Sequence, residues 1–285
     1  MCEDCVEERT PPGARLAWGN YAGRGDTWQG WPGGRGAGGN GWKIGAHGVQ
    51  FGVDCCRSSW HQFGILFGYE RGTAKNAGDL VEADDYYLGF YAARVFRNGV
   101  DARFLFNQGW QQFDMVRSGW DARFNGHTQE FNLELGRRFH YGTWSLRPLL
   151  GADIFLTHLG KAEEQGLRGG FESVEYDKTN LTQVFLRTGF DLRTRWQRLI
   201  FNTGLSYAYD VQDAELRTRV REIGGQGNAP LYGSNIGGSL LSFIVGGEYV
   251  FEKNFSLFGG YEGRAALDRS GGYQSIGQLG GLWRW

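Results

Sequence analysis

Proline and methionine are scarce in this 285-residue chain, at five and two. No stretch approaches the roughly 18 uncharged apolar residues of a transmembrane helix. That excludes a helical membrane protein but not a β-barrel, whose apolar residues alternate with polar ones. No charge of one sign dominates, because 30 Lys and Arg face 31 Asp and Glu. A basic nucleic-acid footprint is therefore missing, and no nucleic-acid partner is expected. The 48 glycines show no Gly-X-Y period, so collagen is excluded. The N-terminus, MCEDCVEERTPPG, is acidic and has no apolar core, so it is not a secretory signal. An exported form would need an upstream segment.

Aromatic residues make up 15% of the chain, yet its mean hydropathy is -0.44. Alternation reconciles the two. In 60–70, Phe63, Ile65, Phe67 and Tyr69 fall on one face and Gln62, Gly64, Leu66, Gly68 and Glu70 on the other. Phe131, Leu133 and Leu135 oppose Glu130, Asn132 and Glu134. Val184, Leu186, Phe190 and Leu192 oppose Arg187, Asp191 and Arg193. Leu205, Tyr207 and Tyr209 oppose Ser206 and Asp210, and Phe243, Val245 and Tyr249 oppose Ser242 and Glu248. Each is a strand with one apolar and one polar face. The pattern predicts about twelve strands, near 15–23, 41–53, 59–70, 83–96, 99–112, 121–137, 143–157, 180–193, 196–211, 238–251, 254–267 and 272–285. No segment has a helical period.

Short connections (54–58, 97–98, 140–142, 194–195, 252–254) alternate with mostly longer ones (24–40, 71–82, 160–179, 213–237) and two modest ones (114–119 and 268–271). The pattern fits an up-and-down barrel trimmed at one end and looped at the other. The polar face carries glycines, small polar residues and charges of both signs rather than a solvent-facing coat of Lys and Glu. It therefore fits a lumen, with the apolar face turned to lipid. Trp42, Tyr69, Trp110, Trp120, Trp144, Trp196 and Tyr249 stand near strand ends, as interfacial girdles do. The expected fold class is all-β: a single antiparallel up-and-down transmembrane barrel of about 12 strands over 15–285, after a short segment 1–14.

The chain ends in mid-strand on an aromatic residue, and a closed barrel pairs its last strand with its first. Gln278-x-Gly280-x-x-Trp283-x-Trp285 resembles the terminal signal read by the barrel-assembly machinery of outer membranes. The opening Ala17-Trp18-Gly19-Asn20-Tyr21-Ala22-Gly23 and the Gly-aromatic texture of 63–69, 203–207 and 258–261 resemble the autotransporter translocator domain of type V secretion. That resemblance implies an outer-membrane anchor that carries a covalently linked N-terminal passenger to the cell surface. Its partners would be outer-membrane lipid and the assembly machinery, with no cofactor and no enzymatic activity. No passenger is visible in this sequence. A small solute channel is the first alternative. An outer-membrane hydrolase is the second, although no nucleophile-and-base motif is present.

The candidate lumen-facing residues are Glu130, Glu134, Arg187, Asp191, Arg193, Asp210, Glu248, Glu262 and Arg264. By the implied topology, Cys2, Cys5, Cys55 and Cys56 share the periplasmic end. A disulfide from the N-terminal segment to the 54–58 turn suits that oxidising compartment. Free thiols and a four-Cys zinc site are the alternatives, the last lacking a second C-x-x-C. The five histidines have no metal-ligand spacing, and catalytic and metal residues are expected to be none. The Gly-rich 30–41 is a loop without the Gly-Lys-Ser/Thr ending of a phosphate loop. Arg24-Gly25-Asp26 is a chance tripeptide at this length.

Overall fold

The computed structural model describes residues 16–28, 42–57, 60–76, 78–117, 120–166, 174–212, 217–222, 228–232, 238–252, 254–267 and 272–285. Twelve antiparallel strands form the wall. They are β1 (Leu16–Trp28), β2 (Trp42–Arg57), β3 (His61–Asn76), β4 (Asp79–Val95), β5 (Val100–Arg117), β6 (Trp120–Arg137), β7 (Trp144–Leu159), β8 (Thr179–Trp196), β9 (Leu199–Asp210), β10 (Ser239–Glu252), β11 (Phe255–Ala266) and β12 (Tyr273–Arg284). Each pairs with its neighbours in sequence, and β12 pairs with β1 from Leu16↔Arg284 to Thr27↔Tyr273. The sheet is closed. Among the described residues there is no helix.

The pairing registers fix the size of the tube. Followed once round the wall, they imply a shear of about 14 residues, a tilt of about 39° and a backbone radius of about 12 Å. After side chains take their share, the lumen has room for a single helix or extended segment.

The outward face is apolar, as the alternation predicted. Phe51, Phe67, Leu88, Leu133, Leu150, Leu186, Phe243 and Leu279 are all exposed on the outside. On β3 and β6 the alternating partners are buried: Leu66 is 5% exposed beside Phe67 at 54%, and Glu134 is 8% exposed between Leu133 and Leu135 at 48% and 49%. A soluble barrel would show the reverse. Trp144, Trp196 and Tyr249 are exposed at the end with short turns, and Trp110 stands toward the other end. Tyr69 and Trp120 are half-buried, and the side chain of Trp42 lies outside the description.

Two of the tight turns use left-handed glycines, Gly99 (φ 78°) and Gly142 (φ 60°), where L side chains are disfavoured. A short strand, Phe139–Tyr141, pairs back on β7 beside Gly142.

The structure departs from the expected boundaries at the long-loop end. The expected connections 24–40, 71–82 and 114–119 are partly strand. β1 runs on to Trp28, β3 and β4 meet in a hairpin at Asn76↔Asp79, and β5 reaches Arg117. The period-two signal fades there because strands beyond the lipid need no apolar outer face, while backbone pairing continues. At the opposite end β2 continues to Arg57, with its register shifted between Asp54 and Cys56; the expected 54–58 turn starts later for that reason. Cys2 and Cys5, and the side chains of Cys55 and Cys56, lie outside the described residues.

Two connections expected as loops contain strands. Ala162–Gly166, Val174–Tyr176, Arg217–Glu222 and Asn228–Tyr232 pair antiparallel in that order, and Gly166 pairs with Trp120 of β6. This small sheet extends the wall beyond the rim. Lys161 and Arg221 both pair with Glu175 at its centre. The hydrogen bond from Lys161, then that from Arg221, hold the Glu175 carboxyl below the usual carboxylate range.

Two predictions follow from this architecture. Leu133→Arg puts a cation on the lipid face and should cost about 2–4 kcal/mol, measured by denaturant unfolding in lipid vesicles. Glu175 should protect the small sheet above its unfolded pKa of about 4.3, with protection lost as pH falls through the lowered folded value. Amide exchange in 162–166 and 174–176, corrected for its intrinsic pH dependence, should show that loss. Glu175→Gln should give weak protection at all pH values.

The lumen as candidate functional site

Residues of opposite sign on neighbouring strands meet across the inner face, and Arg147 is the centre of the largest group. Its side chain is 1% exposed. Arg147 Nε donates to both oxygens of Asp101 at 3.0 and 2.9 Å, and Nη2 reaches Asp101 Oδ1 at 2.5 Å. Arg147 Nη1 donates to Glu134 at 2.6 Å and to Asp191 at 3.1 Å. Four consecutive strands, β5 to β8, thus contribute one charged residue each. Arg103 extends the group to Asp101 and Glu134, at 3.3 and 3.6 Å. Arg187 bridges Glu134 at 3.3 Å and Asp153 at 3.4 Å, and Asn132 donates to Asp153.

The Arg147 side chain fits because Gly136 lies beneath it. A Cβ at Gly136 would stand 2.5 Å from the guanidinium carbon. The same device recurs at the short-turn end of β1 to β4. Gly52 underlies Trp18, and Gly64 underlies Tyr91. Trp18 Nε1 donates to the Tyr91 oxygen at 3.0 Å, and the Tyr91 hydroxyl donates to Asp54 at 2.5 Å. Gln62 donates to both Asp54 oxygens at 3.0 and 2.9 Å. Asp54 is 1% exposed and fully enclosed by these donors.

The remaining sequence candidates are distributed round the wall. Glu130 accepts from Asn107 at 3.0 Å. Glu248 accepts from Ser256 at 2.6 Å and from Arg284 at 3.1 Å, near the short turn between β10 and β11. Glu262 and Arg264 pair with each other along β11 at 2.5 Å. Asp210 stands at the long-loop end of β9, where its Oδ1 accepts from the Gln212 amide at 2.9 Å and caps the turn. Arg193 follows Asp191 on the same face of β8, in register with Asn202 and Ser145. Glu134, Arg187 and Asp191 are therefore brought together, whereas Glu248, Asp210 and the Glu262–Arg264 pair stand apart. Gln278 and Arg284 share the inner face of β12 with Gly280; Trp283 and Trp285 are outside and exposed.

Sequence reading passed over Arg147, Asp101, Asp54 and Tyr91. The signal for Arg147 was present, since Ser145 and Arg147 alternate with Leu146 and Pro148. The centrality of Arg147 depends on register between four strands, which no local pattern reports.

Polar groups thus fill the inner face near the short turns. Toward the long loops, a cavity of about 230 Å³ remains between Arg24, Phe155, Phe185, Leu240, Arg264 and Gln274. Arg24 pairs there with the buried Asp26 at 2.6 Å. Among the described residues, no group of three or more His, Cys, Asp or Glu converges as a metal centre would require.

An apolar outer belt, a polar lumen and complete closure define a membrane β-barrel. The sequence profile described as "Autotransporter beta-domain" matches residues 17–262, and the chain belongs to that family. Its structure is similar to the translocator domain of the autotransporter NalP from Neisseria meningitidis, with a TM-score of 0.77 at 14% identity, covering 99% of this chain and 91% of that one. It is also similar to the transport unit of the autotransporter AIDA-I from Escherichia coli, at 0.65 and 16%, covering 100% and 93%. The β-domain of the Bordetella autotransporter BrkA follows at 0.62 and 16%, covering 94% and 98%. At these identities the likenesses speak for the fold. No curated protein sequence matches the chain.

Arg147 neutralises carboxylates that cannot reach bulk water. Arg147→Met should destabilise the barrel, by at most about 3–5 kcal/mol, because Asp101 and Glu134 keep only their longer ion pairs to Arg103 and Arg187. Adding Asp101→Asn and Glu134→Gln should recover part of that loss. Guanidinium unfolding of the refolded barrels provides the comparison.

Proposed function

We propose that this chain is the membrane-embedded translocator of an autotransporter, holding one end of a covalently attached N-terminal passenger while the rest reaches the cell surface. Membership of the β-domain family carries this reading, and the lumen width agrees with it. A backbone radius of about 12 Å admits one polypeptide segment and no folded domain. The inner wall offers charged and amide side chains along its length, so a passing chain exchanges water for polar contacts rather than for an apolar surface. The short turns and both ends of the wall-closing pair, Leu16 and Arg284, lie at one end. A passenger joined before Leu16 would enter the lumen there, from the periplasm, and the small sheet of outer connections would stand on the cell-surface side. No chemical step is assigned to the barrel; its work is anchoring and passage. Outer-membrane lipid, the assembly machinery and the passenger are its proposed partners.

A fusion carrying a signal peptide and a short reporter ahead of residue 1 tests this directly. Externally added protease should remove the reporter from intact cells while the barrel stays protected. A reporter that remains in the periplasm, combined with large, steady conductance of the purified barrel in planar bilayers, would instead identify a solute channel.

The exposed terminal residues Trp283 and Trp285, with Gln278 and Gly280 on the inner face, form the proposed assembly signal. Deleting Trp285 should lower the fraction of heat-modifiable, membrane-inserted barrel in cells. Refolding of the same variant in detergent, where no machinery acts, should be affected far less.

A further inference from the structure

On the outer face, one row of directly paired residues crosses four strands: Trp110 on β5, His127 on β6, His158 on β7 and Asn180 on β8. The row lies on the order of 10 Å beyond Phe131 toward the long-loop end, at the height where Trp110 is half exposed. A tryptophan exposed at this height marks the interfacial level of a membrane barrel. The rings of His127 and His158 are 4.7 Å apart between centroids, with their planes at 33°. Asn180 Oδ1 accepts from His158 Nδ1 at 2.5 Å.

We propose that His127 and His158 form a chelating site for a late first-row divalent cation such as Cu²⁺, Ni²⁺ or Zn²⁺. The spacing is the first reason. A metal about 2.0–2.1 Å from one nitrogen of each ring places the centroids about 4.5–5.2 Å apart for angles between 90° and tetrahedral. The observed 4.7 Å falls inside that range. The second reason is the partner. A His158 that donates its Nδ1–H to Asn180 carries its lone pair on Nε2, and an orienting partner of this kind fixes a ligand's tautomer and ring orientation. The third is chemical type: neutral imidazole suits these cations, whereas Ca²⁺ and Mg²⁺ take oxygen ligands.

The protein supplies two nitrogens, and water completes the coordination sphere. The site is therefore exchangeable rather than structural. The histidines are 31 positions apart in sequence (127 and 158), which is why ligand spacing gives no sign of them. It is the strand register that makes them neighbours.

The test uses the full chain without a polyhistidine tag, refolded in detergent, with its cysteines alkylated so that thiols do not compete. Cu²⁺ is the probe, followed by calorimetry and electron paramagnetic resonance. The expected result is saturable binding of one Cu²⁺ with hyperfine structure from two nitrogens. His127→Ala and His158→Ala should each abolish that signature, and Asn180→Leu should weaken binding by about tenfold. His140→Ala should change nothing. Heat-modifiable mobility confirms that each variant is folded, and His127→Gln stands in if the alanine variant is not. Absence of saturable binding, or an unchanged spectrum in the folded His127 variant, would overturn the proposal.

Discussion

Every backbone amide and carbonyl that crosses hydrocarbon must find its partner within the protein, because lipid offers none. In this chain the requirement is met by closing the sheet, with Leu16 to Thr27 paired to Arg284 to Tyr273. The contact joins the two ends of the described chain and leaves no edge in the membrane. The other features of the fold follow from it. Closure at twelve strands fixes the radius. The radius fixes how much side chain the lumen must hold. The strict alternation of inside and outside then assigns each position on the wall to lipid or lumen.

The lumen has its own electrostatic requirement. Arg147, Asp101 and Glu134 are removed from bulk water, and each would be costly alone. Together they exchange hydration for short, charge-assisted hydrogen bonds. The Asp54 group spans β1 to β4, the Arg147 group spans β5 to β8, and the Glu248 group ties β10 to β12. All three are near the short turns. That end of the wall is cross-braced through its interior, while the opposite end keeps a cavity and carries the connecting segments.

Much of the wall was legible in the sequence because lipid imposes a period of two. Phe63, Ile65 and Phe67, and Leu133 and Leu135, announce their face without any knowledge of their neighbours. The signal weakens where that pressure ends. Arg24 to Trp28, Arg71 to Asn76 and Asp79 to Glu82 are strand because they pair, not because they alternate in hydropathy. The interior was legible in kind, as a polar face of mixed sign, but not in its groupings. Glu134, Arg187 and Asp191 were recognisable as candidates one by one. That Glu134 and Asp191 converge on Arg147, with Arg187 joined to the group through Glu134, while Glu248 answers to Ser256 and Arg284, depends on register between strands distant in sequence. The facing of His127 and His158 is hidden for the same reason.

The glycines of the inner face have an evolutionary consequence. Gly136 makes room for Arg147, Gly64 for Tyr91 and Gly52 for Trp18. In each pair the small residue and the large one sit on adjacent strands, and only their combined volume is constrained. A family built this way is free to lose almost any individual residue, provided that its neighbour changes in the opposite sense. Sequences should then diverge by paired exchange of bulk across the wall. Such drift leaves the curvature of the tube intact while erasing position-by-position identity.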